Sequence, residues 1–127
     1  MRSPVRLAAL PALMLLAVVA PACGSDVAKP ASAESVAKVV LIDVRTPDEF
    51  VAGHLDGAIN LDYEGGALEA AIADLDPSAT YQVYCHSGRR SALATALLAD
   101  HGFAHVTDLG GIAAAEDSTG LGVVQGD

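Results

Sequence analysis

The chain has 127 residues, with 7 Lys+Arg against 16 Asp+Glu, a formal net charge of −9, and 2 cysteines. So acidic a balance argues against nucleic acid as a partner and offers no electrostatic attraction to an anionic membrane surface. Two cysteines cannot make a disulfide framework, so an apolar core must hold the fold, and the length suffices for one small domain.

Arg2 and Arg6 precede an uncharged run from Leu7 to Ala20, interrupted only by Pro11. That run is too short for a membrane span and suits a secretory signal. It ends in Ala20-Pro21-Ala22-Cys23-Gly24-Ser25, small residues around a cysteine, which resembles a bacterial lipoprotein cleavage site. The expectation is a signal over residues 1–22, removed to leave Cys23 as the lipid-bearing first residue of an extracytoplasmic, membrane-anchored protein. Ordinary cleavage nearby gives a periplasmic or secreted protein instead. Loss of Arg2 and Arg6 takes the net charge from −9 to −11. Residues 23–37 are small, polar and aperiodic and read as a flexible tether, with the folded domain over 38–127.

Val39-Val40-Leu41-Ile42-Asp43-Val44 is a continuous apolar run of the kind found in a buried central strand. Thr46, Pro47 and the acids Asp48 and Glu49 then open a short helix, Pro47–Ala52, which stops at Gly53. Ala58–Leu61 reads as a second strand. A helical stripe of Leu68, Ala71, Ile72 and Leu75 follows within 66–75, ended by Asp76-Pro77. Tyr81–Tyr84 is a third strand, Ser91–His101 a helix stopped by Gly102, and His105–Leu109 a fourth strand. This alternation predicts an α/β fold, an open parallel sheet flanked by helices in a single small domain.

The chemistry concentrates at Cys85-His86-Ser87-Gly88-Arg89-Arg90-Ser91. A thiol at the carboxyl end of a strand, in a turn that opens a helix, faces unpaired N–H groups. These groups and the arginines favour the thiolate, and they can also cradle an anion. With the other cysteine expected to carry lipid, Cys85 has no partner within the chain and is the candidate nucleophile. The surface repels anions at long range, so Arg89 and Arg90 are expected to supply the local positive potential.

Three segments resemble single-domain rhodanese-like proteins of the thiosulfate sulfurtransferase type. Leu41-Ile42-Asp43-Val44-Arg45-Thr46-Pro47-Asp48-Glu49-Phe50, continuing through Gly53-His54-Leu55-Asp56-Gly57-Ala58-Ile59-Asn60-Leu61, is similar to the family's D-x-R … E-[FY] … G-H-I-x-G-A-x-[NH] signature. Cys85 to Ser91 is similar to its C-x-x-G-x-R-[ST] loop, and Leu109-Gly110-Gly111-Ile112 to the glycine pair after the last core strand. Two departures stand out: the run before Val39 is short and polar where the family has a strand and a helix, and Ala113-Ala114-Ala115-Glu116 replaces a common aromatic residue.

The resemblance implies a two-step sulfur transfer with no metal and no cofactor. Cys85 takes sulfane sulfur from a small anionic donor such as thiosulfate and passes it, through a persulfide, to a thiol or cyanide-like acceptor. The loop N–H groups of His86, Ser87, Gly88, Arg89 and Arg90 are expected to point inward at the sulfur, with Gly88 in the left-handed region. Asp43 and Arg45 are expected to brace this loop by an ion pair or backbone hydrogen bonds. Glu49 is expected to pair with a cation or face solvent, His54 to be a structural hydrogen-bonder, His86 to tune access, and His101 to act at its helix end. Arg90 is expected to orient the loop or the donor, and Arg89 to present positive charge to solvent and substrate. Arg90 lies five positions after Cys85, a spacing that fits sulfane sulfur; dual-specificity phosphatases and arsenate reductases use one residue more. The alternatives are a non-catalytic binding or sulfur-carrier module, a redox thiol, or a phosphatase or arsenate reductase on the same fold. One small domain without an obvious interface stripe is expected to be a monomer.

Overall fold

A computed structural model describes residues 38–127. The expected signal (1–22), the lipidation residue Cys23, the tether (23–37) and the departure from the family pattern before Val39 lie outside the described residues.

Four parallel strands form the main sheet in the order β3-β1-β4-β5, where β1 is Val39–Asp43, β3 Ile59–Asn60, β4 Thr80–Cys85 and β5 His105–Gly111. The apolar run of β1 lies between two neighbours, as a strand without polar alternation requires. Side chains alternate between the two faces of the sheet and build two apolar clusters. On one face Ile42, Val44, Tyr81, Val83 and Cys85 pack against Leu68, Ala94, Leu98 and Phe103. On the other, Leu41 and Tyr84 pack against Leu55 and Ala115.

The first helix, α1 (Pro47–Ala52), starts on a complete capping box. The Thr46 hydroxyl accepts from the Glu49 N–H, and the Glu49 carboxylate accepts from the Thr46 N–H at 3.0 Å. The expected helix over 66–75 is shorter: α2 (Ala67–Ala71) tightens into a 3-10 turn at Ile72–Asp74, and the chain is extended at Leu75 ahead of Asp76-Pro77. Conversely α3 (Arg89–Asp100) starts two residues before the expected Ser91, on Gly88.

Three elements fall outside the expectation from sequence. The strands β2 (His54–Leu55) and β6 (Val123–Val124) pair antiparallel as a separate two-stranded ribbon. The helix α4 (Ile112–Thr119) occupies the alanine run that stands where the family's aromatic would be. Ala115 is its buried residue, and Gly120 ends it in the left-handed region. A small side chain there lets the helix lie close against Leu41, Leu55 and Tyr84.

Candidate functional site

Cys85 is the last residue of β4, at the carboxyl edge of the parallel sheet, and is fully buried. The chain turns at His86-Ser87-Gly88 and enters α3 directly. Gly88 is the helix's N-cap with φ +100°, a conformation open to glycine, and it offers no side chain to cap the first turn. The Cys85 sulfur takes that place: the Gly88 N–H donates to Sγ at 2.9 Å. In the thiol form Cys85 Sγ donates to the Ser91 hydroxyl oxygen at 3.6 Å, and the hydroxyl donates to the Gly88 carbonyl at 3.1 Å; on ionisation the hydroxyl's one proton turns to the sulfur.

Burial alone pushes the Cys85 thiol up. The Ser91 N–H and hydroxyl, with the N–H groups of Gly88 and Ser87, outweigh it and hold the thiol below its ordinary value. Of the inward-pointing donors expected from sequence, Ser87 and Gly88 therefore face the sulfur, joined by Ser91. Ser91 is the final position of the loop motif, and its spacing from Cys85 in the sequence does not by itself reveal this contact. Because α3 begins at Arg89, its first turn aims the Ser91 N–H at the thiol.

The turn is held against β5 by close backbone contact. Ser87 forms an isolated bridge with Gly111. A Cβ on Gly111 would lie 2.6 Å from the His86 carbonyl oxygen, and one on Gly88 would lie 3.5 Å from the Gly110 Cα. Gly110 has φ +81°, and the register of β5 against β4 shifts there: Val83 faces Asp108 while Tyr84 faces Gly110. The glycine pair thus lets the thiol loop sit on the strand end.

The two arginines separate. Arg89 is exposed. Arg90 is largely buried and turns to Glu49, with Nη1 to Oε2 at 2.8 Å and Nη2 to Oε1 at 3.0 Å; Glu64 lies 3.6 Å away. Chiefly through Arg90, and with help from Thr46, the Glu49 carboxyl is held down at about 2. The charge of Arg90 is therefore matched by two carboxylates, which fits its expected part in orienting the loop and not the expectation that it supplies positive potential to a substrate.

Asp43 and Arg45 do form an ion pair, but in a different place from the one expected. Arg45 Nε lies 3.0 Å from both Asp43 oxygens, and Nη2 lies 2.6 Å from Asp43 Oδ2 and 2.6 Å from the Gly53 carbonyl. Asp43 is opposite Tyr84 in register and shares its face, where the Arg45 guanidinium lies 5.7 Å from the Tyr84 ring centre. Cys85, one residue on, points to the other face. The pair thus ties the exit of β1 to the α1–β2 turn, while Glu49 and Arg90 brace the thiol loop.

The histidines divide in the same way. His54 is buried, stacks on Phe50 at 3.6 Å between ring centres and hydrogen-bonds the Phe50 carbonyl through Nδ1. His101 hydrogen-bonds the Leu97 carbonyl at the end of α3. His86 is exposed beside Cys85.

Comparison with known proteins gives one answer by three routes. The family described as "Rhodanese-like domain" matches residues 25–117. The chain is 38% identical over 71 residues to thiosulfate sulfurtransferase PspE of Escherichia coli (strain K12), covering 56% of this chain and 68% of that protein. It is 39% identical over 72 residues to thiosulfate sulfurtransferase GlpE of Pseudomonas entomophila (strain L48), covering 57% of this chain and 64% of that one. Among solved structures it resembles a rhodanese with anions from E. coli, with a TM-score of 0.58 and 32% identity, over 70% of this chain and all of the other. A rhodanese-like domain of the Alr3790 protein from Anabaena sp. gives 0.61 at 28% identity, over 71% and 95% of the two chains. A parallel α/β sheet with a cysteine loop at its carboxyl edge, matched over these lengths, makes this chain a member of the rhodanese-like domain family.

Proposed function

We propose that the protein is a rhodanese-type sulfurtransferase that moves sulfane sulfur through a persulfide on Cys85. The observation that carries this reading is the Cys85 sulfur at the N-terminus of α3, where donors from Ser91, Gly88 and Ser87 hold it below its ordinary thiol value. The two relatives named thiosulfate sulfurtransferases support the same reaction class and make thiosulfate the first donor to try.

The Cys85 thiolate attacks the outer sulfur of thiosulfate. A Cys85–sulfur bond forms, the donor's sulfur–sulfur bond breaks, and its electron pair leaves on sulfite. The helix and turn N–H groups are preorganised for negative charge on the first sulfur, so they serve the thiolate and then the persulfide. A thiol or cyanide acceptor then attacks the outer sulfur and releases the Cys85 thiolate. The turn holds three residues between Cys85 and the helix, with Arg90 at the fifth position turned to Glu49. That geometry leaves Arg90 bracing the loop, and the sixth position, where a phosphatase or arsenate reductase would carry its arginine, holds Ser91.

The proposed setting is extracytoplasmic, with Cys23 lipid-bearing after removal of residues 1–22. Support for this lies in the charged start, the uncharged run and the small residues around Cys23. Metabolic labelling with a palmitate analogue tests it: Cys23→Ser is expected to lose the label.

The reaction is tested by intact mass after incubation with thiosulfate. The expected result is a gain of one sulfur on the wild type and none on Cys85→Ser, discharged by cyanide with release of thiocyanate. A folded wild type that gains no sulfur overturns the reading. Sulfur gained but never passed to cyanide or a small thiol identifies a carrier module.

A further inference from the structure

Glu64 is an exposed carboxylate with no place in the loop's hydrogen-bond framework. Glu49 already satisfies Arg90 with two hydrogen bonds and is itself fixed by Thr46. Glu64 adds a second negative charge 3.6 Å from Arg90 Nη1, and its side chain is 59% exposed. The guanidinium is held above its ordinary value first by Glu49, against burial, with Glu64 and the Cys85 sulfur adding to the effect. Arg90 stands in the first turn of α3, the helix whose N-terminus faces Cys85, and is the charge through which Glu64 bears on the reacting thiol.

Counted at the loop, Arg89 and Arg90 are balanced by Glu49 and Glu64, on a chain whose net charge is −9. An approaching dianion finds Arg89 and the turn N–H groups, but the charge of Arg90 is offset by the two carboxylates, and each negative charge on a donor adds in proportion to the repulsion from Glu64.

We infer that Glu64 is a specificity-determining residue that disfavours the thiosulfate dianion and turns the site toward sulfane donors of lower charge, persulfides and thiosulfonates. This rests on the sulfurtransferase reading above. With a persulfide R–S–SH, the Cys85 thiolate bonds to the outer sulfur, the donor's S–S bond breaks, and the electron pair leaves on R–S⁻. The proton stays on the transferred sulfur. With a thiosulfonate the leaving group is the sulfinate. In both cases the Cys85 sulfur is oxidised to the persulfide level and the donor reduced, with no further reactant.

The test compares single-turnover rates of persulfide formation with thiosulfate, a dianion, and benzenethiosulfonate, a monoanion, for the full chain and for Glu64→Gln. At low ionic strength the variant is expected to gain about fivefold with thiosulfate and about twofold with benzenethiosulfonate, because the logarithm of the gain scales with donor charge. Both gains shrink as salt is added. Glu69→Gln, an exposed acid on α2, changes net charge equally and is expected to leave both rates unchanged. Equal gains for the two donors, no gain for either, or the same gain in Glu69→Gln overturns the inference while leaving the sulfurtransferase reading intact. Failure of the wild type to take sulfur from either donor overturns both.

Discussion

The Glu49 carboxylate grips the Arg90 guanidinium with two hydrogen bonds of 2.8 and 3.0 Å across 41 residues of sequence. The same carboxylate closes the capping box of α1 by accepting from the Thr46 N–H. One side chain therefore joins the start of α1 to the first turn of α3, and α3 is the helix whose N-terminus faces Cys85.

This link is pH-dependent. The Glu49 carboxyl sits at about 2, below its ordinary 4.5, so its stabilisation is full above about pH 4.5 and is lost as pH falls toward 2. Glu49→Gln keeps a capping acceptor and removes the charge. It is expected to lose about 1 kcal/mol at pH 6, a modest figure because the carboxylate is one-third exposed. Urea midpoints of the two proteins should converge between pH 4.5 and 2. A difference that persists undiminished at pH 2 would count against the pairing.

Ser91 should set the titration of the thiol. In Ser91→Ala the hydroxyl near Sγ is gone while the helix N–H groups remain. The ultraviolet absorbance of the thiolate is expected to appear at higher pH than in wild type. Persulfide formation at neutral pH should fall about tenfold, for loss of one hydrogen bond to a charged group. At high pH, where both proteins are thiolates, the rates should meet, since a more basic thiolate is at least as nucleophilic. A uniform loss at every pH would instead mean that the variant has disturbed the loop.

Asp43 and Arg45 should matter to stability ahead of chemistry. Both are buried, and Asp43→Asn leaves the Arg45 guanidinium inside without its counter-charge. The expected cost is about 3 kcal/mol or more, read from urea unfolding. Asp43→Leu combined with Arg45→Met removes both charges and should recover much of it. The Cys85 titration should stay where it is in the double variant, because the pair lies on the opposite face of the sheet.

The main sheet was legible in the sequence because its strands are long enough to carry a pattern. Val39 to Val44 declares a buried strand by lacking polar residues, and Thr46 to Glu49 declares a helix start through its cap. The strands β2 and β6 have two residues each, too few for alternation to register. The helix α4 has alanines of high helix propensity and a Gly120 stop, but no capping side chain and no wide apolar stripe. In the site, position in the loop identified Cys85 and Gly88, whose roles depend on backbone geometry. It could not tell which arginine would meet a carboxylate, since Glu49 and Glu64 reach Arg90 only through the packing of three separate elements. Nor could it show that strand alternation sends Asp43 and Cys85 to opposite faces.

Gly111 gives the sharpest test of how the loop is held. Its φ of −75° suits any residue, so alanine there brings no backbone strain of its own. The new methyl, however, would sit 2.6 Å from the His86 carbonyl oxygen and 3.2 Å from the Ser87 Cα, both backbone atoms of the thiol turn. No side-chain rotation relieves that contact, so the turn must move away from β5. Such overpacking is expected to cost about 2 kcal/mol. Because the displaced segment carries the Ser87 and Gly88 N–H groups, the Cys85 titration should also move to higher pH. Gly122→Ala, with open space around the added carbon and no positive φ, is expected to stay within about 0.5 kcal/mol of wild type and to leave the thiol unchanged. Unfolding curves and thiolate absorbance on the two variants decide the matter: a Gly111→Ala protein as stable as Gly122→Ala, with an unshifted thiol, would mean that the turn does not depend on its contact with β5.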